Sequence, residues 1–357
     1  MNVDFLPNGI PHDAIVLTNS NSLEDFMSSK ALAIPFSSTN VYPWEVEVHL
    51  TGFCGLSCKG CSYSKRHLND SLSIQDLIRI FFSIKNMGSH TLFFSGGGDP
   101  LCWNKWDDLV RIKSEIIPEV VTGISTNLIA NIDCGFINDF FDIVQVHIVG
   151  FDDNSCKSNT NTNCFEILNK QLSLLKNDNL VLKILINSTN YNLIDNYLTY
   201  VCKFNAKTVV LKLEQDFLFN RQTIDSELFE KIKEIVSNHH DISKYKYVFY
   251  SKTDKKLLKM PSKCHIVDKH LYCLIRENGD VYPCIASAYS NKNSIGNIHC
   301  ESLEEIYTRN IDSTKYSTNM KKKECPLFAC RHFRFNQELE YGIFNSSSFL
   351  NYIPSLL

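Results

Sequence analysis

From residue 45 onward, short apolar or alternating runs trade places with longer stretches whose apolar residues recur every three or four positions. The first pattern predicts strands and the second predicts helices. Strands are expected over 45–50, 91–95, 120–126, 143–149, 181–187 and 208–213. Helices are expected over 106–117, 165–175, 191–204 and 226–237. One further helix opens at Ser73, an N-cap with Asp76 three residues on, and stops at Gly88. Residues 1–43 show little periodicity and several turn formers (Pro7-Asn8-Gly9, Ser37-Ser38-Thr39-Asn40), so they read as an irregular lead-in.

Six β/α units between about residues 44 and 240 imply a parallel sheet with helices outside. The expected fold is α/β: a partial (β/α)6 TIM-like barrel, with a doubly wound sheet as the other arrangement the pattern allows. Either places chemistry at the C-terminal strand ends. The expected domains are the lead-in 1–43, a barrel over 44–250 and a cysteine-rich extension over 251–357. In the extension, two β-like runs flank Asn278-Gly279, a hairpin signal.

Apolar residues make up 44% of the 357, enough for a sizeable core. A net charge of −3 carries no basic excess, so no nucleic-acid partner is expected. The N-terminus lacks the charged and apolar regions of a signal peptide, and no apolar run is long enough to span a bilayer. The expectation is a cytoplasmic protein with no membrane partner. Fourteen cysteines in such a chain read as metal ligands or reactive thiols rather than disulfides.

Three of them, Cys54, Cys58 and Cys61, fall within eight residues after the first strand. Three thiolates can hold three irons of a [4Fe–4S] cluster, which normally takes four cysteines. One iron would then stay open. Zinc and a set of buried thiols are the alternatives, but structural zinc usually recruits spaced pairs, and a polar loop makes a poor core. The second strand runs into Gly96-Gly97-Gly98-Asp99-Pro100, where glycines let the backbone approach a ligand and Asp99 offers an acceptor to an ammonium group. The two loops should be neighbours. The third strand ends in Ser125-Thr126-Asn127, short polar side chains suited to a ribose or carboxylate, or to a capping turn.

Together these motifs resemble the radical S-adenosylmethionine (radical SAM) superfamily over about residues 44–240. The Cys-x3-Cys-x2-Cys loop resembles that family's signature. The resemblance implies an enzyme that cleaves SAM reductively to a 5′-deoxyadenosyl radical, which abstracts hydrogen from a substrate C–H bond. It implies that Cys54, Cys58 and Cys61 bind a [4Fe–4S] cluster, and that Gly96, Gly97, Gly98, Asp99, Ser125 and Asn127 bind SAM. Tyr63 is the candidate ring near adenine, because Gly60 replaces the family's usual aromatic residue. Asp99 stands where glutamate is commoner.

Cys264, Gly279 and Cys284 resemble the opening of the SPASM/twitch extension, and Ile295-Gly296-Asn297-Ile298 resembles the segment after it. The implied ligands of one auxiliary [4Fe–4S] cluster are Cys264, Cys284, Cys325 and Cys330, with Cys273 and Cys300 as spares. The same thiolates could hold zinc. Cys156 is a candidate hydrogen-atom donor. His147 reads as a core histidine and Asp152 as a turn residue. The expected substrate is a ribosomally made peptide, to be cross-linked, oxidised or epimerised. A sugar or aminocyclitol oxidation and a non-catalytic metal-binding role are the alternatives. A short, irregular lead-in does not suit an added leader-binding domain. The implied electron donor is a flavodoxin or ferredoxin.

Overall fold

The structure is a computed structural model that describes residues 2–3, 14–19, 43–130, 132–176, 178–187, 189–213, 226–245, 247–251, 264–289, 294–309 and 336. Its strands in chain order are β1 (Asn2–Val3), β2 (Ala14–Thr18), β3 (Glu45–Val48), β4 (Thr91–Phe94), β5 (Val121–Thr126), β6 (Ile143–His147), β7 (Leu180–Ile186), β8 (Thr208–Leu213), β9 (Tyr247–Ser251), β10 (Tyr272–Ile275), β11 (Asp280–Tyr282) and β12 (Gly296–Asn297). Its α-helices are α1 (Ile74–Met87), α2 (Trp106–Ile116), α3 (Cys134–Phe140), α4 (Asp153–Thr160), α5 (Phe165–Leu174), α6 (Ile194–Val201), α7 (Ser226–Asn238), α8 (His265–Asp268), α9 (Ile285–Ala288) and α10 (Leu303–Thr308).

β3 to β8 pair in parallel and in chain order. The two ends of this array do not meet. β8 pairs with β2, and β3 pairs with β10. The expected partial (β/α)6 barrel is therefore present, with the antiparallel β10–β11–β12 extension continuing its sheet.

Four of the described α-helices start on a side-chain cap. At α1, Ser73 and Asp76 make a reciprocal capping box, and Gly88 closes the helix in the left-handed region at φ 69°. The buried side chains of α1 (Leu77, Ile80, Phe81, Ile84) pack on the outer strand residues Val46, Val48, Leu92 and Phe94 in one apolar core. Burial of this continuous layer is the main force holding helices to sheet.

The described residues of the lead-in include two strands. Ala14–Thr18 runs antiparallel to both β8 and β9 along its whole length. A single five-residue apolar run has too little periodicity to stand out, and its pairing comes from strands far along the chain. The short helices α3 and α4 also escape the periodic pattern. α4 starts on an Asp152–Ser155 capping box, so Asp152 is an N-cap residue.

The alternate residues of the barrel strands face a lumen. They include Glu45, Glu47 and His49 from β3 and its end, Phe93 and Ser95 from β4, Ser125 from β5, Gln145 and His147 from β6, Lys183 from β7 and Lys212 from β8, with Ile143, Val181, Val210 and Leu185 at the same register. Phe93 occupies the place a side chain would take at Gly123, where a Cβ would meet its ring at 2.4 Å. The lumen is thus polar toward the C-terminal strand ends. Among the described residues no helix is long and apolar enough to cross a membrane.

Candidate metal and cofactor site

The cysteine loop leaves β3 and returns toward α1. Arg66 holds it together: its Nε donates to Gly52 O at 2.8 Å and its Nη1 to Cys61 Sγ at 3.4 Å. From behind, α4 supplies carbonyls, with Ser57 N donating to Thr160 O and Lys59 N to Asn159 O. Leu56 N and Asn127 Nδ2 donate to Cys54 Sγ at 3.4 and 3.8 Å.

All three thiols are partly buried. Burial and the neighbouring thiols push Cys58 up to about 12, and burial also raises Cys54. Crowded sulfurs that resist charging alone become good ligands once a cation shares their charge. The donor set therefore fits an iron cluster. Donors to sulfur, such as those from Arg66 and Asn127, stabilise the charged state further. Neither role was visible from spacing, although Arg66 lies only five residues beyond Cys61.

The Gly-rich turn lies against this loop, as expected. Gly98 N donates to Thr51 O at 2.7 Å and Asp99 N to Phe53 O at 3.0 Å. Each glycine is required. A Cβ at Gly98 would fall 1.8 Å from Phe53 O, and one at Gly96 would enter the Tyr63 ring. Gly97 has φ 70°, a region that favours glycine.

Asp99 does not face the turn's open side. Its fully buried carboxylate accepts from Leu101 N, Thr126 Oγ1 and Asn127 N. It clamps the end of β4 to the end of β5. With three protein donors on it, the carboxylate acts here as a clamp between strand ends. Burial raises its pKa, while the Asn127 amide, the Thr126 hydroxyl and the Leu101 amide oppose the shift. Ser125 Oγ sits in the lumen within 3.1 Å of both Gln145 Oε1 and His147 Nε2.

Tyr63 packs edge-on against His49 and Tyr289, with ring centroids 5.4 and 4.9 Å away. Beneath it runs a buried polar network that joins the barrel to the extension. Tyr289 Oη shares a hydrogen bond with His49 Nδ1. His49 Nε2 contacts Glu47 and Ser95, Ser95 donates to Glu47, and Tyr272 Oη donates to the other Glu47 oxygen. Sequence patterning gave no hint of it beyond polar residues at inward strand positions.

Cys156 corrects an expectation. It is fully buried under the cysteine loop, against Leu56 and Cys164, rather than on the lumen surface. Gly150 covers it so closely that a Cβ there would meet Cys156 Sγ at 2.6 Å. A hydrogen-atom donor must touch the substrate, and this thiol is sealed from it.

In the extension, Cys264 and Cys284 cap α8 and α9. Burial first, and then Cys284, push the Cys264 thiol up to about 12, so the two sulfurs feel each other. Asn336 Nδ2 donates to Cys264 Sγ at 3.7 Å and Asn336 Oδ1 accepts from Ile266 N. Cys273 is buried in the main core on β10, and Cys300 is exposed. Cys325 and Cys330 lie outside the described residues.

The SPASM family, described as an iron-sulfur cluster-binding domain, matches residues 264–332. None of the curated proteins matches the chain. Among solved structures, SuiB of Streptococcus suis bound to precursor peptide SuiA is similar at 15% identity, TM-score 0.61, over 89% of this chain and 76% of SuiB. Native anSMEcpe with bound AdoMet and Cp18Cys peptide is similar at 14% identity, TM-score 0.58, over 84% of this chain and 95% of that one. At such identities the likeness establishes a shared fold. The cysteine loop ends the first parallel strand, the Gly-rich turn is bonded to it, and an iron–sulfur domain is joined edge to edge with the same sheet. Residues 264–332 thus match the SPASM family, and the chain as a whole shares the fold of these solved structures.

Proposed function

We propose that this protein is a radical SAM enzyme that modifies a ribosomally synthesised peptide. The observation that carries the reading is a polar lumen opening beside the cysteine loop, in a fold whose similar structures include two bound to peptides. A bound cluster and SAM would supply a 5′-deoxyadenosyl radical. Cys54, Cys58 and Cys61 would hold three irons, and Cys264 and Cys284, with Cys325 and Cys330, would hold an auxiliary cluster.

The chain's own residues set the conditions around that chemistry. Arg66 and Asn127 orient the sulfurs through N–H donors. Ser125 and His147 offer hydrogen bonds to a group entering the lumen, and Lys183 gives that wall positive charge. The aromatic cover of Tyr63 and Tyr289 excludes water, which protects a reactive centre from stray hydrogen donors.

The test is anaerobic incubation of reconstituted, reduced protein with SAM and the peptide encoded beside its gene. The expected products are 5′-deoxyadenosine and a peptide altered in mass or stereochemistry. A Cys54/Cys58/Cys61→Ala variant should form neither and lose the iron of one cluster. Absence of 5′-deoxyadenosine from the wild type would defeat the enzyme reading. Its formation with an unchanged peptide would defeat the peptide reading alone.

A further inference from the structure

Glu277 lies just before the Asn278-Gly279 turn between β10 and β11, yet its side chain reaches the SAM-side loops of the barrel. It is completely buried. Its Oε1 accepts from His67 N, at the end of the cysteine loop, and from Arg276 Nη2, each at 2.7 Å. Its Oε2 has no hydrogen-bond partner among the described residues. A Cβ on Gly97 would stand 2.9 Å from that oxygen. The free oxygen therefore looks directly at the bare backbone of the Gly-rich turn.

A buried carboxylate oxygen without a donor is costly and rare in folded proteins. Burial opposes the charge, but Arg276 and the His67 amide hold the Glu277 carboxyl below the usual range. Arg276 bonds only one of the two oxygens, and its own Nε also has no partner among the described residues. Its Nη2 is committed to Oε1 and Lys65 O, and its Nη1 to Ala288 O. Asp99, the acid within the turn itself, is engaged by three protein donors, whereas Glu277 Oε2 has none.

We infer that Glu277 accepts a hydrogen bond from an ammonium group of the ligand held at the Gly-rich turn, approaching past Gly97, where any side chain would block the way. On the functional reading above, on which this identification rests, that group is the methionyl amine of SAM. The extension then completes the cofactor site in addition to carrying its own cluster. Nothing in the 96–100 motif reveals this, because the acceptor comes from a different region of the chain.

The experiment compares the full-length, cluster-reconstituted wild type with Glu277→Gln by equilibrium dialysis. Two probes are used: SAM, and 5′-methylthioadenosine, which keeps the adenosyl thioether and lacks the amine. Glutamine keeps the shape and one carbonyl acceptor for His67 N, but sets an N–H where the ammonium would dock. SAM should bind about ten-fold more weakly or worse, as for loss of a charged hydrogen bond. Methylthioadenosine should bind as before. Unchanged SAM affinity overturns the inference. Equal weakening of both probes also overturns it and leaves Glu277 a structural strut. If the glutamine variant loses iron or fails to fold, Glu277→Asp, which keeps the charge but withdraws Oε2 by one methylene, is read with the same probes and outcomes. Wild-type protein that binds methylthioadenosine but no SAM overturns the ligand assignment, and this inference with it.

Discussion

His147 stands on the lumen face of β6, opposite Lys183 in the β6–β7 register. Burial, then the positive charges of Lys183 and Lys212, lower its pKa from 6.5 to about 3. The folded state therefore refuses a proton that the unfolded chain accepts. As pH falls below 6.5 the unfolded state gains protonation energy, so stability declines until pH nears the folded value of about 3. His147→Gln should flatten this part of the profile. Urea unfolding midpoints between about pH 7 and 5 should fall more steeply for the wild type than for the variant. Parallel profiles would contradict the account. The sequence placed His147 inside, but the cationic wall beside it depends on β7 and β8 lying in register. Asp99 shows the same limit. Its position in the motif was legible, while its engagement by Thr126 and Asn127 required knowing which strand lies next.

The cysteine loop and the Gly-rich turn behave as one element. Their spacing, their strand-end position and their adjacency were all readable, because they follow from local motifs and the parallel order of β/α units. Their dependence on each other's backbone was not. Gly98→Ala would drive a methyl into the Phe53 carbonyl and part the two loops. The expected result is a lower unfolding midpoint together with a clear loss of reconstituted iron. Gly88→Ala is the matched comparison. It has a positive φ, unlike Gly98, and nothing lies within 4 Å of its added methyl. It should cost about 1 kcal/mol of stability from backbone strain and leave iron content unchanged. Equal iron loss in both variants would mean that general instability, rather than loop contact, controls cluster binding. The short strand β2 and helices α3 and α4 were illegible for other reasons. β2 is a lone apolar run within a turn-rich lead-in, α4 carries too few apolar residues to mark a face, and α3 completes only about two turns.

At the scale of the molecule, barrel and extension share one sheet and one buried polar network. The hairpin at Asn278-Gly279 was predicted, but its docking beside β3 was not, since strand pairing between distant segments has no local sequence signature. Tyr272 shows what the docking does. It pairs with Glu45 in the β10–β3 ladder and donates to Glu47 inside the barrel. Tyr272→Phe leaves a buried Glu47 oxygen short of a donor, which should lower stability by about 1–3 kcal/mol. Because the sheet is shared, unfolding monitored by tryptophan fluorescence and by the iron–sulfur absorbance should shift together in this variant. A shift confined to the absorbance would show that cluster loss precedes unfolding of the barrel. The tryptophans serve as barrel reporters, since Trp44, Trp103 and Trp106 all lie within it.

The pairing of β3 with β10 also bears on how the protein is made. The strand that delivers the cysteine loop is synthesised early, and its edge partner emerges only after the whole barrel has been translated. Until then β3 presents an open row of backbone groups, a template for the wrong neighbour. Such long-range closure is slow relative to local helix formation. A cell that loads iron into the nascent chain would be filling a loop whose outer strand, Glu277 and Tyr289 have not arrived. Completion of the first site's surroundings thereby waits on the docking of β10.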